Sequence, residues 1–125
     1  KKKEKKKKKD KDELDPQAYG AMTPIEAAFR DVKFGKYRAV EKALLDGVVA
    51  PNTKREDFKE NTLLTTAALN GQTRIAKLLL RNKADIFHKN QEGLTAAQLA
   101  YRFNYKDLGD YLVEKEKLFA DQRDW

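Results

Sequence analysis

Residues 61–71 read NTLLTTAALNG, and residues 94–104 read LTAAQLAYRFN, so a threonine, small residues and leucines return in the same order 33 positions later. The offset persists through the following segment, as the matched pairs Thr62 and Thr95, Ala67 and Ala100, Ile75 and Leu108, Leu78 and Tyr111, and Leu79 and Leu112 show. A constant offset across two successive helices and their turn is typical of a stacked helical solenoid.

The segment before this repeat also has helical periodicity. Thr23-Pro24 combines a capping hydroxyl with a proline that fits the first turn, so a helix is expected to start there. Apolar residues at helical spacing follow up to Gly35, and a second amphipathic stretch runs to Gly47. Thr23 lies further from Gly35 than Thr62 from Gly71, which predicts a longer first helix or irregular caps. Residues 48–61 are predicted to form a long connection.

Charge is distributed very unevenly along the 125 residues, whose formal net charge is +7. Residues 1–11 hold all of that excess, and the remaining residues balance to zero. The lysines responsible are Lys1, Lys2, Lys3, Lys5, Lys6, Lys7, Lys8, Lys9 and Lys11. A run so rich in charge cannot bury enough apolar surface to fold alone, which predicts a flexible basic tail.

The composition excludes several kinds of catalytic and metal site. The chain has no cysteine and no serine, and its single histidine is His88, so disulfides, Ser–His or Cys–His nucleophiles and multi-histidine metal clusters are excluded. We interpret His88 as a surface or turn residue. No cofactor-binding motif is present, and no apolar run approaches the roughly 20 residues of a membrane span.

The repeated segments resemble the ankyrin repeat. The residues that carry the resemblance are Thr62, Ala67, Ala68, Gly71, Ile75, Leu78, Leu79, Leu80, Ala84 and Asp85, with Gly93, Thr95, Ala100, Leu108 and Leu112 in the next unit. Thr65 and Gln98 stand where the family usually has histidine, and Lys83 replaces the usual loop glycine. The resemblance implies an all-α solenoid of helix-turn-helix units with finger loops, and no catalytic activity.

We predict five segments along the chain. They are a Lys-rich charged tail or linker at 1–21, an atypical capping unit at 22–56, a second unit at 57–89, a third unit with a C-terminal helical extension at 90–120, and an exit segment at 121–125. The shared face of Leu108, Tyr111, Leu112 and Phe119 suggests that this extension either covers the end of the stack or contacts a neighbour. The ends of the sequence suggest an excerpt from a longer protein.

The resemblance also implies a concave binding surface, formed by the finger tips and the ends of the inner helices. Its predicted members are Phe58, Lys59, Asn61, Leu69 and Asn70 in the middle unit, and Gln91, Glu92, Leu94, Arg102 and Phe103 in the last. Exposed aromatic residues beside an arginine are common anchors of protein interfaces. The alternative is that these apolar residues pack against adjacent fingers and beneath the C-terminal extension.

Two functional hypotheses follow. In the first, the chain is a non-catalytic interaction scaffold or adaptor within a larger intracellular assembly, in the cytoplasm or on the cytoskeleton, that binds protein partners through the concave surface. In the second, the lysine tail anchors it to RNA, DNA or an acidic protein tail and the repeats act as a spacer. A regulatory domain of an enzyme encoded elsewhere in a longer chain is a third alternative.

Overall fold

Helices in antiparallel pairs make up most of the structure. It is a computed structural model that describes residues 22–123, without the side chain of Arg123. The elements are α1 (Pro24–Lys33), α2 (Tyr37–Leu45), β1 (Lys54–Arg55), β2 (Asn61–Thr62), α3 (Leu63–Leu69), α4 (Thr73–Arg81), α5 (Ala96–Arg102) and α6 (Lys106–Arg123). The predicted helix-turn-helix solenoid is confirmed, and the lysine tail lies outside the described residues.

Threonine capping starts every inner helix. In each case the threonine hydroxyl accepts a hydrogen bond from the backbone three residues later, and that later side chain accepts one from the threonine N–H. The reciprocal pairs are Thr23 with Glu26, Thr62 with Thr65, and Thr95 with Gln98. Thr65 and Gln98 stand where the family usually has histidine. Their side chains still accept a hydrogen bond from the backbone N–H of the capping threonine.

Small side chains let the inner helices approach closely. The helix α3 packs against both α1 and α5, and alanines lie along these contacts. Ala67, Ala68, Ala97 and Ala100 are all buried. Larger apolar side chains complete the core between inner and outer helices, among them Leu64, Ile75, Leu79, Leu99 and Leu112.

The first unit differs from the others in the length of its inner helix. The helix α1 has 10 residues and α3 has 7, which explains the wider spacing between Thr23 and Gly35. The predicted connection over residues 48–61 contains a short antiparallel hairpin, in which Lys54 pairs with Thr62 and Arg55 with Asn61. This hairpin forms the finger between the first two units.

Hydrogen bonds link equivalent positions of successive units. The Asn52 side-chain oxygen accepts from the backbone N–H of Asp85, 33 residues later, at 2.6 Å. The backbone N–H of Gln91 donates to the carbonyl of Lys59 at 2.7 Å. His88 is half-buried, and its Nε2 lies 2.8 Å from the carbonyl oxygen of Glu60. These contacts connect the fingers, and they give His88 a structural role.

The last helix continues beyond the predicted extension. The helix α6 reaches Arg123, so residues 121–123 of the predicted exit segment 121–125 are helical. These residues include neither glycine nor proline, so nothing local ends the helix. Phe119 packs against the core and, with Leu80 and Ile86, lines a groove beside α4. Phe119 of the extension therefore lies beside α4. The unit boundaries remain predictions.

Left-handed backbone ends the helices. After the inner helices, Gly71 has a φ of +68° and Asn104 a φ of +70°. After the outer helices, Gly47 has a φ of +73° and Lys83 a φ of +74°. Lysine carries a Cβ and is strained in this conformation, whereas glycine is not.

We therefore expect Lys83→Gly to stabilise the protein. Relief of left-handed strain is worth about 1–2 kcal/mol, and the added freedom of the unfolded chain offsets about 0.4–1 kcal/mol. Urea unfolding should therefore show that the free energy of unfolding rises by about 0.5–1 kcal/mol. Lys83→Ala removes the charge and keeps the strain, so it should not reproduce the gain. Equal effects of the two substitutions would contradict this account.

Candidate protein-binding surface

An open groove of about 470 Å³ lies between α1, the first finger and the end of α3. We call it the concave groove. Its lining residues are Met22, Glu26, Phe29, Arg30, Lys33, Phe34, Arg55, Phe58, Thr66, Leu69 and Asn70. The groove thus combines a largely apolar lining with three cationic side chains and one carboxylate.

Three apolar side chains of this groove are well exposed to solvent. Phe34 is 61% exposed, Met22 49% and Phe58 42%. Phe34 is the C-cap of α1, directly after the helix has ended, and its position prevents it from joining the buried face of α1. Phe58 lies in the finger. A concentration of exposed apolar side chains around one groove is typical of an interaction surface.

Arg55 connects the finger to α1 inside the groove. Its guanidinium lies 5.8 Å from the Phe29 ring and 5.9 Å from the Phe58 ring. It also donates two hydrogen bonds to the Asp57 carboxylate, at 3.0 Å from Nε and 2.6 Å from Nη2. Glu26 lies 3.9 Å from the same group. Arg55 therefore contacts both Phe58 of the finger and Phe29 of α1.

The Arg55–Asp57 pair changes the proton affinity of both groups. Hydrogen bonding from Arg55 lowers the pKa of the Asp57 carboxyl below its ordinary value, and the same bond raises the pKa of Arg55. Both effects favour the charged forms, so the pair stays ionised at neutral pH. The guanidinium therefore keeps its charge beside the Phe29 and Phe58 rings.

The structure brings together only part of the predicted binding residues. Phe58, Leu69 and Asn70 line the concave groove, whereas Leu94 and Phe103 do not. Leu94 is half-buried against the core, and Phe103 is 49% exposed at the C-cap of α5. The four apolar members of the predicted surface therefore do not all line one groove.

The polar members of the predicted surface lie along the fingers. Glu92 contacts two cations, Lys59 at 3.2 Å and Arg102 at 3.7 Å, and thereby joins the two fingers to the end of α5. Gln91 is exposed beside them. These residues form a solvent-facing charged cluster distinct from the concave groove.

The inclusion of Asn61 in the binding surface is wrong. Asn61 is only 2% exposed, and its Oδ1 accepts a hydrogen bond from Asn90 Nδ2 at 3.1 Å. Asn90 is also buried, and its Oδ1 accepts from the backbone N–H groups of Glu92 and Leu94. The amide pair holds the two fingers together, so it is a structural feature of the interior.

Sequence reasoning missed Met22, Phe34, Arg30, Lys33 and Arg55 as members of the groove. The first unit matched the repeat loosely and was interpreted only as a cap, so its surface was not assigned a binding role. One signal was available in the sequence: Phe34 falls immediately before Gly35, where a large apolar residue has no place on a buried helical face.

Within residues 22–123 no group of three histidine, cysteine, aspartate or glutamate residues is arranged to hold a metal ion. None of the helices in the same range combines the length and apolar character needed to cross a membrane.

Comparison with known proteins identifies the repeat. A family model described as ankyrin repeats, in three copies, matches residues 26–124. No curated protein matches the sequence closely enough to count as a relative. Among solved structures, the chain is similar to one in the complex of the Bd0816 predatory endopeptidase from Bdellovibrio bacteriovorus with immunity protein Bd3460. The TM-score is 0.66 at 26% identity, over 71% of this chain and 45% of the other.

The buried amide pair yields a stability prediction. Asn90→Ala removes the acceptor for two backbone N–H groups and the donor for Asn61, so it should lower the free energy of unfolding by about 1–3 kcal/mol. The exposed neighbour Lys89, changed to alanine, should stay within about 0.5 kcal/mol of the parent. Urea unfolding measures both, and similar values for the two variants would refute the structural role.

The Arg55–Asp57 pair yields a pH prediction. Because folding lowers the pKa of Asp57, the pair stabilises the native state above the ordinary carboxyl pKa of about 3.9, and this contribution is lost as pH falls through the lower folded value. Asp57→Asn should therefore lower the melting temperature near neutral pH, and the difference should shrink in acid. In an Arg55→Gln background the same substitution should have little effect. A pH-independent difference would contradict the assignment.

Proposed function

This chain belongs to the ankyrin-repeat family, and from that premise we propose that it is a non-catalytic module that binds a protein partner through the concave groove. The single observation that carries the proposal is the exposure of Phe34, Met22 and Phe58 around one groove. Burial of these side chains in an interface would remove their apolar surface from water.

The arrangement of the groove suits a well-ordered anchor site. Arg55 contacts the buried Phe29 ring and the exposed Phe58 ring, so part of the Phe58 side-chain freedom is already restricted before binding. Aromatic and arginine side chains in such sites frequently dominate binding energy. The solved complex of an endopeptidase with an immunity protein supports a protein-binding role, because a chain of that complex shares this fold.

We further propose that this protein-binding module is a structural or adaptor component of a larger intracellular assembly, in the cytoplasm or on the cytoskeleton. Lys59, Glu92, Arg102 and the exposed Phe103 lie on the fingers and the end of α5. In this proposal they extend contact with a large partner beyond the groove itself. A module of this kind acts by holding partners together.

A second candidate function rests on the lysine tail. Nine lysines within residues 1–11 would attract RNA, DNA or an acidic protein tail. Binding of this kind weakens steeply with salt, because it depends on counterion release from the anionic partner. Salt dependence therefore separates the two candidates: apolar anchoring in the groove tolerates salt, and tail anchoring does not.

The proposal predicts how partner capture responds to substitution. Phe34→Ser/Phe58→Ser should weaken binding strongly, because loss of an anchor worth about 2 kcal/mol corresponds to about a 30-fold change in affinity. A matched control, Leu45→Ser/Val48→Ser, removes two exposed apolar residues of the first unit outside the groove. Capture from cell extract at low and high salt, with folding checked by circular dichroism, compares these baits with the parent chain and a version lacking residues 1–11.

If the tailless bait still captures the partner in high salt and only the groove variant fails to capture it, the concave groove is supported as the binding surface. Normal capture by the groove variant, together with loss on tail removal, would overturn the proposal in favour of the polycationic anchor. Equal loss in the groove and control variants would also overturn it, because it would show that general surface apolarity governs capture.

A further inference from the structure

The outer helices carry a second surface, separate from the concave groove. We infer that it binds an acidic segment of a partner protein, with an apolar side chain of that segment inserted between α4 and α6. This inference is independent of the concave groove, since no lining residue is shared between the two grooves.

Two tyrosines on either side of α4 each hold two cations. The Arg74 guanidinium lies 4.4 Å from the Tyr37 ring, and Arg81 donates a hydrogen bond to the Tyr37 hydroxyl at 3.1 Å. Tyr111 of α6 has the Lys77 and Lys115 ammonium groups at 5.0 Å and 5.6 Å from its ring centroid. Four positive charges are thus positioned by ring and hydroxyl contacts.

These four cations lack carboxylate partners within residues 22–123. The ion pairs within that range all involve other cations, while α4 itself contains Arg74, Lys77 and Arg81 and no acidic residue. Because the sequence outside the lysine tail is neutral overall, this concentration of positive charge is local. Uncompensated like charges repel one another, and an anionic ligand would relieve that repulsion.

An elongated groove lies directly beside the cations. One cavity of about 300 Å³ is lined by Lys77, Arg81 and Lys115 together with Leu80, Tyr111 and Phe119. A second cavity, of about 340 Å³, shares Leu80 and Phe119 with the first and extends along Ile86 and Phe87. The first cavity has three cations and no carboxylate, and the second is also lined by Lys83 and Asp85. Leu80 and Phe119, which line both cavities, are apolar.

This combination favours an acidic peptide over other polyanions. The ring faces of Tyr37 and Tyr111 already carry cations, so they are poorly available for the base stacking that single-stranded nucleic acids use. Leu80 and Phe119 form a recessed floor, which an inserted side chain can reach more easily than a lipid surface can. The lysine tail has the same sign of charge as the groove, which excludes it as the occupant.

Peptide binding to the full chain tests the inference. The probe is a short fluorescein-labelled peptide of alternating glutamate and leucine, compared with versions in which glutamine replaces glutamate or serine replaces leucine. The groove variant is Lys77→Gln/Arg81→Gln/Lys115→Gln. The matched control, Lys36→Gln/Lys54→Gln/Lys89→Gln, removes the same charge from exposed lysines outside this groove. The tail is present in every protein, so its contribution is constant.

We expect the groove variant to lose about tenfold or more in affinity for the glutamate–leucine peptide, and the control to lose less than about twofold. Both altered peptides should bind the parent chain more weakly. Phe34→Ser/Phe58→Ser should leave this binding unchanged, which separates it from the concave groove. Circular dichroism and thermal melting establish that each variant is folded.

Equal losses in the groove and control variants would overturn the inference, because only net charge would then matter. If the peptide with serine in place of leucine binds equally well, no apolar side chain is inserted between α4 and α6 and that part of the inference is wrong. A single-stranded oligouridine and vesicles containing phosphatidylserine serve as competing probes. If the groove variant no longer binds the oligouridine or the vesicles but still binds the peptide, the surface recognises a different class of anion and the inference is wrong.

Discussion

The close approach of α3 to its neighbours α1 and α5 is the constraint on which the rest of the structure depends. Buried alanines such as Ala67 and Ala68 leave room for the adjacent inner helix, and larger side chains there would force the units apart. Threonine capping then fixes where each inner helix begins. Together these features set the position of every finger and every groove that the stack presents.

The fingers are held by polar contacts between units. Asn52 accepts from Asp85, Asn90 donates to Asn61, and the His88 ring contacts the carbonyl of Glu60. Such bonds stabilise modestly when formed, but the buried amides would be costly to leave unpaired. The fingers therefore act as a fixed support, and the exposed aromatic residues on and beside them can be presented to a partner without much loss of freedom.

Charge and aromatic residues are combined differently on the two surfaces. In the concave groove Arg55 is neutralised by Asp57, so its guanidinium mainly orders two phenylalanine rings. On the outer helices, Tyr37 and Tyr111 position cations that have no carboxylate partner among residues 22–123. The first arrangement favours apolar contact, and the second favours attraction of negative charge. A neutral folded region can thus present two chemically different surfaces.

The sequence by itself determined the architecture. The 33-residue offset, the threonine starts and the paired alanines predicted stacked helix pairs, and the resemblance to the ankyrin repeat placed Lys83 where that family usually has a loop glycine. These features are local or repeat with the unit, so they are visible without knowing how units face one another.

Only the tertiary structure decided which side chains share a surface. Asn61 was predicted to be exposed, but its partner Asn90 comes from the next finger and buries it. The concave groove joins the end of α1 to Arg55 and Phe58, and the outer surface joins Arg81 to Tyr37, 44 residues apart. Neither grouping follows the 33-residue period, because each joins non-equivalent positions that the packing of the units brings together. Contacts between different units depend on that packing, and sequence spacing does not encode it.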